Sequence, residues 1–589
     1  MKHDVLFRKA TLFCLSFALF LGCSYLYMDH LAGFAVPDTE FFTLEISALL
    51  ISGFFCLAGK KYFLLLFLPL LWLIGALCIF PLSHKPLHFL SFMPFMGFSA
   101  GLWGLWAALL ILLERGGRKK YPVFLYALLF PLLPFLVWSY YFMNGSWPIY
   151  TALLAIWQTN GREAMEYGIS HFHPVVFILL IFTFTYAGHI AGNAKKFPSL
   201  LISKAGAWIL SAAFILSFYL IYVSRDNLLT EIYFQARDCQ TSYLQFQKEK
   251  EHRSRQMEET LKTISAAPHG IHVLVIGESE NRKHMSAYGY QRPTTPHLEK
   301  AAGNPHFILY TDTYSCHVQT VQALSYALTA KNQYNHIPLE KAPSLIECAK
   351  TAGFHTIWLS NQEKYSLYDT PTSVIASEAD REIWLNHNIG TDLKTEVYDG
   401  EIVNRLKNLE ITSPTLLIIH LMGSHRAYWE RYPRECAVFE GDNWLTDTYD
   451  NSILYTDRVL HEIYETVKTI PHFQSMVYFS DHSEGIDEGL DHNASIFTWD
   501  MTYIPFYMAF SDEYMKNHRQ KIDEIKKHKD DPFTNDLIFH LMMSLMEIDI
   551  PDYREKTNDI TTQDYDPGQE RFRTLFGEKK IVENNDFSQ

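Results

Sequence analysis

The sequence predicts two architectures in one chain: a multi-span α-helical membrane domain, then an α/β domain built on a mainly parallel sheet. Three observations lead there. Through Arg225 the chain is a succession of long apolar runs with 15 Lys and Arg against 8 Asp and Glu. Beyond it, 35 basic residues stand against 56 acidic ones, and short β-prone runs alternate with helical patterns as in βαβ units. Two of those runs stop abruptly at potential metal ligands: HVLVI over 272–276 leads into Gly277-Glu278-Ser279, and MVYFS over 476–480 into Asp481-His482. In open α/β sheets that edge is where ligands bind.

At 589 residues the chain is too long for one core. Its acidic second part argues against a nucleic-acid partner, because phosphate backbones require a basic face. No Gly-rich phosphate loop, repeat or low-complexity tract stands out.

Crossing a bilayer takes about 20 apolar residues, and seven stretches qualify: 10–28, 42–59, 62–81, 89–113, 121–143, 174–193 and 206–224. The first has no clear small-residue cleavage site after it and is expected to stay as an anchor. Orientation follows from the loop cations. Lys2, Arg8, Lys9, Lys60, Lys61, Arg115, Arg118, Lys119, Lys120, Lys195, Lys196 and Lys204 fall on one side, only Lys85 and Arg162 on the other. The amino terminus is therefore placed in the cytoplasm and everything after Arg225 outside it. If 42–59 and 62–81 form no hairpin, the count drops to five with the same final side. Glu45 is the one Asp, Glu, Lys or Arg inside an expected span, so no charge relay suggests transport.

The outer loop near 147–170 opens with WPIYTALLAIW, apolar but too short to span, which reads as an interfacial helix. Gln158, Asn160, Glu163 and Glu166 follow, and on composition alone read as a solvated helix face. Residues 226–268 are dense in Lys, Glu, Arg and Gln and read as a surface linker helix, closed by Ala266-Ala267-Pro268-His269-Gly270. The domains are thus 1–225, the linker 226–268, and a soluble domain 269–589. Strands are expected at 272–276, 307–311, 355–359, 415–420, 476–479 and 504–509, and helices at 321–330, 343–352 and 449–468.

Cys14, Cys23, Cys56 and Cys78 lie in expected spans. Cys239, Cys316, Cys348 and Cys436 lie in the exported part, where an oxidising compartment allows disulfides in three full pairings.

The chemistry concentrates in TYSCHVQTVQALSYALT. Val321, Leu324 and Leu328 recur at helical spacing and put Thr320 at or beside a helix N-terminus. A threonine there commonly just caps the helix. The same position also offers unpaired N–H groups and a positive dipole end to an alkoxide or a phosphate. A threonine hydroxyl is a poor nucleophile at neutral pH, and zinc would lower its pKa. Glu278, Asp481 and His482 supply three ligands and leave a fourth position for Thr320, an open tetrahedral site. His425 and His492, each in a loop after a strand, could hold a second metal, clamp phosphate or protonate a leaving group.

Taken in order, VLVIGESENRKHMSAYGYQRPTTPHL, SCHVQTVQALSYALT, TIWLSNQ, IIHLMGSHRAYWERYP, YDNSILYTD and SDHSEG resemble the membrane-bound phosphoethanolamine transferases of the alkaline phosphatase and sulfatase superfamily. QTNGREAMEY is similar to an outer-loop segment of those enzymes, and the resemblance makes Gln158, Asn160, Glu163 and Glu166 candidates for a donor-lipid contact. The resemblance implies an alkaline-phosphatase/sulfatase-like fold, with zinc held by Glu278, Thr320, Asp481 and His482 and Thr320 as nucleophile. His425 and His492 fall where the family has histidines for substrate phosphate or a further zinc. The family commonly shows Asp-His-Gly-Glu where this chain has Asp481-His482-Ser483-Glu484, and a later His-Gly where it has His492-Asn493. The implied reaction moves phosphoethanolamine from phosphatidylethanolamine to lipid A, lipopolysaccharide core or another envelope glycan or protein. The implied setting is the bacterial inner membrane, with a monomeric chain and a periplasmic soluble domain. Rivals are a phosphoglycerol transferase similar to lipoteichoic acid synthases, and a non-catalytic envelope scaffold. A sulfatase-like hydrolase is disfavoured, since no CxPxR-type pattern occurs.

Overall fold

Ile271–Gly277 (β1) and Phe473–Ser480 (β7) carry the runs VLVI and MVYF, apolar without alternation because both faces of each strand are covered. In the computed structural model, Leu274, Ile276, Val477 and Phe479 point into one core. Val273, Val275, Met476 and Tyr478 point into another. Each fully buried aliphatic or aromatic side chain of this kind stabilises the fold by roughly 1.5–3 kcal/mol. The structure describes residues 228–260, 268–363, 371–386 and 397–584 apart from 493, with helix Tyr150–Gln158 and scattered positions between 136 and 215.

The chain divides into two units, Met1–Ile156 with His171–Asp238, and Trp157–Ser170 with Cys239–Gln589. Four of the seven expected spans lie wholly outside the described residues, and only isolated positions of the other three are described. Among the described residues no helix is long and apolar enough to cross a membrane.

In the second unit the main sheet runs β2-β8-β7-β1-β6-β4-β5. Here β2 is Phe307–Tyr310, β4 His355–Glu363, β5 Arg381–Asn386, β6 Thr415–His420 and β8 Phe506–Phe510. The short β3, Thr313–Tyr314, pairs with β9, Phe533–Thr534. The expectation of a mainly parallel sheet is refined: β1, β4, β5, β6 and β7 pair in parallel, but β8 is antiparallel to both β7 and β2, so the sheet is mixed. The edge strand β5 escaped the sequence reading because its burial is only partial.

Among the described residues from 228 onward the α-helices are Leu228–Lys248 (α1), Lys250–Thr260 (α2), Pro296–Ala302 (α3), Thr320–Ala327 (α4), Leu345–Thr351 (α5), Pro371–Ala376 (α6), Gly400–Lys407 (α7), Trp444–Val467 (α8), Asp512–Asn517 (α9), Arg519–Lys527 (α10) and Ile538–Leu545 (α11). Residues of α7 and α8 line one core, and residues of α4, α5 and α11 the other. A capping box starts α5, with Ser344 and Glu347 each satisfying the other's backbone N–H.

The linker departs from its expected surface character. Met257 and Phe246 join the domain core, and Arg253 on α2 is 2% exposed. Its guanidinium reaches Glu347 and Glu378 at 3.1 Å each, donates to the Phe246 and Glu340 carbonyls, and lies over the Phe246 ring. A charged segment passes for a surface helix when its partners are some 90 and 125 residues away in sequence. The four described cysteines, Cys239, Cys316, Cys348 and Cys436, are all free thiols, so none of the three possible pairings forms. The other four lie outside the described residues.

Candidate active site

Neighbouring parallel strands β7, β1 and β6 end at one edge, and each hands a functional group to it. Register places Gly277 beside Ser480, so Glu278 and Asp481 emerge together. The loop after β6 carries His425. Glycine is needed at two points of this edge. A Cβ on Gly277 would meet the Tyr478 hydroxyl at 2.3 Å, and one on Gly423 (φ +53°) the Glu278 carbonyl oxygen at 2.7 Å.

Thr320 is the first residue of α4, after Gln319, which makes no side-chain cap. The Thr320 hydroxyl serves no cap either. It lies 3.1 and 3.3 Å from the two Glu278 carboxylate oxygens and 3.2 Å from His482 Nε2. His482 Nε2 is also 3.2 Å from Glu278 Oε1 and 3.5 Å from Asp481 Oδ2. Ligand atoms of Glu278, Asp481 and His482 all lie within 4.8 Å of one another, and all three side chains are buried. Thr320 is half-buried, as an attacking group must be.

Hydrogen bonds behind these groups aim them. Asp481 Oδ1 accepts from the Ser279 and His482 amides at 3.1 and 2.7 Å, which leaves Oδ2 facing the cluster without a hydrogen bond. His482 Nδ1 lies 3.1 Å from the Ser483 carbonyl, which can only accept, so Nδ1 carries a proton and Nε2 faces the carboxylates. Asn535 donates to the Asp481 carbonyl at 2.7 Å and accepts from the Cys316 amide at 2.8 Å, tying the two sides together. Tyr449 on α8 donates to the Ser279 carbonyl at 2.7 Å and accepts from the Asn281 amide at 2.8 Å, holding Ser279 at φ +59°. Tyr449 and Asn535 went unassigned in the sequence; Tyr449 lies in a quoted motif, while no pattern singles out Asn535.

The electrostatics are those of a cation site. Burial pushes the Asp481 carboxyl up to about 7, reinforced by the Glu278 charge. Burial opposes ionisation of Glu278 too, but the hydrogen bond and charge of His482 hold it well below the usual carboxylate range. Burial would depress His482, yet Asp481 and Glu278 raise it to about 10. Two buried carboxylates thus depend on a protonated imidazole, and a divalent ion could take its place. The donor set of two carboxylates, one imidazole and one hydroxyl, with an orphaned buried oxygen aimed inward, fits zinc.

His425 and His492 reach the same place. The His492 ring centroid is 4.3 Å from that of His482 and 6.5 Å from that of His425. His492 Nδ1 bonds Glu484 at 3.0 Å; burial lowers its pKa, and the Glu484 carboxylate more than restores it. His425 Nδ1 donates to the Arg426 carbonyl at 2.6 Å, and burial keeps this ring neutral. Gln158 ends the helix Tyr150–Gln158, whereas Asn160, Glu163 and Glu166 lie outside the described residues.

The fold and this strand-edge arrangement define a class, and the comparisons agree. The family profile described as Sulfatase matches residues 271–548. Several of the relatives this chain is similar to are named phosphoethanolamine transferases. Phosphoethanolamine transferase EptC of Escherichia coli O18:K1:H7 is 25% identical over 421 residues, 64% of this chain and 72% of that protein. The crystal structure of the C-terminal periplasmic domain of EcEptC from Escherichia coli covers 55% of this chain and 97% of its own, with a TM-score of 0.50 and 25% identity. The integral membrane protein lipooligosaccharide phosphoethanolamine transferase A (EptA) from Neisseria meningitidis shares the fold over 80% of this chain and 98% of its own, with a TM-score of 0.52 and 16% identity.

Proposed function

We propose that the chain is a membrane-anchored, zinc-dependent phosphoethanolamine transferase. It takes its donor group from phosphatidylethanolamine and passes it to an envelope acceptor such as lipid A, lipopolysaccharide core, or another glycan or protein. The observation that carries this reading is the meeting of the Thr320 hydroxyl with Glu278 and His482 at 3.1–3.3 Å, beside Asp481. Glu278, Asp481, His482 and Thr320 would hold the zinc, which supplies Lewis acidity that lowers the hydroxyl's pKa and neutralises phosphate charge.

The side chains do the rest. Thr320 gives up its hydroxyl proton to bulk water and forms a bond from its oxygen to phosphorus, and the phosphorus–oxygen bond to diacylglycerol breaks, leaving phosphoethanolamine on the threonine. His492, whose proton is held by Glu484, supplies the proton to the departing diacylglycerol oxygen. His425, oriented by its Nδ1–H bond to the Arg426 carbonyl, offers Nε2 to the phosphate and takes up a proton there as the anionic head group enters, so that it can donate to a phosphate oxygen. In the second step an acceptor oxygen displaces Thr320 with the proton flow reversed. The inner-membrane location, the cytoplasmic amino terminus and the monomeric state belong to the same reading, as do the Gln158–Glu166 donor contact and the 1–225, 226–268 and 269–589 boundaries.

The purified full chain, offered phosphatidylethanolamine and phosphatidylglycerol separately in mixed micelles, tests it. Release of diacylglycerol from the ethanolamine lipid alone, lost in Thr320→Ala, is expected. Release from the glycerol lipid instead supports the phosphoglycerol transferase, and release from neither supports a scaffold.

A further inference from the structure

The loop from Leu421 to His425 presses directly on the ligand Glu278. Its Ser424 amide donates to the Glu278 carbonyl at 2.9 Å, and Gly423 stands where any Cβ would come within 2.7 Å of that carbonyl oxygen and 2.9 Å of the Glu278 nitrogen. Contact this close means that a shift in the loop becomes a shift in Glu278. The same loop delivers His425.

What holds the loop's outer side is a carboxylate from another part of the chain. Asp399, 3% exposed, accepts the Met422 amide on one oxygen at 2.9 Å and the Gly423 amide on the other at 2.8 Å. Two successive backbone N–H groups forked onto one anion form a nest, whose geometry resists sliding in either direction. Asn361 completes the arrangement. Its Nδ2 donates to Asp399 at 2.8 Å and to the Val397 carbonyl at 2.9 Å, fixing the carboxylate and the segment that carries it. Asn361 lies near the end of β4 in TIWLSNQ, and Asp399 just before α7, so the loop is referred to the rigid sheet.

We propose that Asp399 is a positioning residue of the catalytic centre: through Met422 and Gly423 it sets where Glu278 sits for the metal and where His425 sits for the phosphate. For the phosphate arm this rests on the transferase reading; for the metal arm it needs only the Glu278–Asp481–His482 cluster. An asparagine at 399 keeps the size but turns an N–H₂ toward one of the two amides, which releases that half of the fork.

The test uses the full chain in detergent, with zinc affinity measured by chelator competition well below the thermal midpoint, and KM and kcat for phosphatidylethanolamine measured at saturating zinc. Asp399→Asn is expected to weaken zinc about tenfold or more and to raise KM. Gly423→Ala, which pushes the same loop away from Glu278, reproduces the zinc loss. His425→Ala raises KM with zinc affinity intact, separating the two arms. A lowered thermal midpoint with unchanged zinc affinity and KM in Asp399→Asn overturns the proposal. If that variant does not fold, unchanged zinc affinity in Gly423→Ala overturns it instead. Weakened zinc in Asp399→Asn alongside a wild-type chain that transfers no phosphoethanolamine supports the positioning role and sinks the reaction reading alone.

Discussion

Arg253 on α2 and His482 after β7 each face two buried carboxylates, Glu347 and Glu378 in the first case, Glu278 and Asp481 in the second. The clusters resemble each other in charge and burial but differ in how their cation is supplied. A guanidinium cannot lose its proton in a protein, and Arg253 also donates from Nη1 to two carbonyls. That cluster carries its own permanent partner, and burial, aided by Glu347, pushes Glu378 up to about 8 so that the second carboxyl can stay neutral. The His482 cluster has a cation only while the imidazole keeps a proton, and one Asp481 oxygen lacks a hydrogen bond. Each cluster leaves one buried carboxylate oxygen without a hydrogen bond, Glu347 Oε1 in the first and Asp481 Oδ2 in the second, so what separates them is the cation, permanent in the structural cluster and replaceable in the catalytic one by an ion that arrives from solution.

The sharpest way to break this comparison is Thr320→Ala. Transfer should fall by about 10⁴-fold or more while the thermal midpoint stays near the wild-type value, as assays of diacylglycerol release and melting will show. Arg253→Ala is expected to behave in the opposite manner. Removing one member of a buried ion cluster costs about 3–5 kcal/mol, read by denaturant unfolding, with zinc affinity unchanged. Asp481→Asn should abolish tight zinc binding yet stabilise the metal-free protein. Its folded carboxyl sits at about 7, above the unfolded value of about 4, so ionising it disfavours folding as pH climbs through that window, and asparagine removes that term. The smallest effect is a slope. Glu378 at about 8 penalises the folded state increasingly from about pH 4.5 to about 8, so Glu378→Gln should flatten the fall in stability across that range; an unchanged slope would place the proton elsewhere.

The sequence made the strand-edge geometry readable because both faces of β1 and β7 are buried. That leaves continuous apolar runs whose ends are unmistakable, and the groups just past them, Glu278 and Asp481-His482, emerge side by side. Thr320 was readable for a different reason, since Val321, Leu324 and Leu328 mark where its helix begins. Other features left no periodic trace. The antiparallel β8 is as apolar as its parallel neighbours, so direction could not be read. Arg253 sits in a run of charges and is buried only because Glu347 and Glu378 converge on it from distant segments. Asp399, Tyr449 and Asn535 act by hydrogen bonds across 23, 170 and 54 residues, and no local pattern encodes such partners.

The central claim is that Thr320 becomes the covalent carrier. Intact-protein mass spectrometry of the full chain after exposure to phosphatidylethanolamine, followed by peptide mapping, tests it most directly. The account predicts a single phosphoethanolamine on the peptide containing Thr320, absent from Thr320→Ala and discharged when acceptor is added. Transfer that continues without such an adduct, or an adduct mapped to another residue, contradicts it.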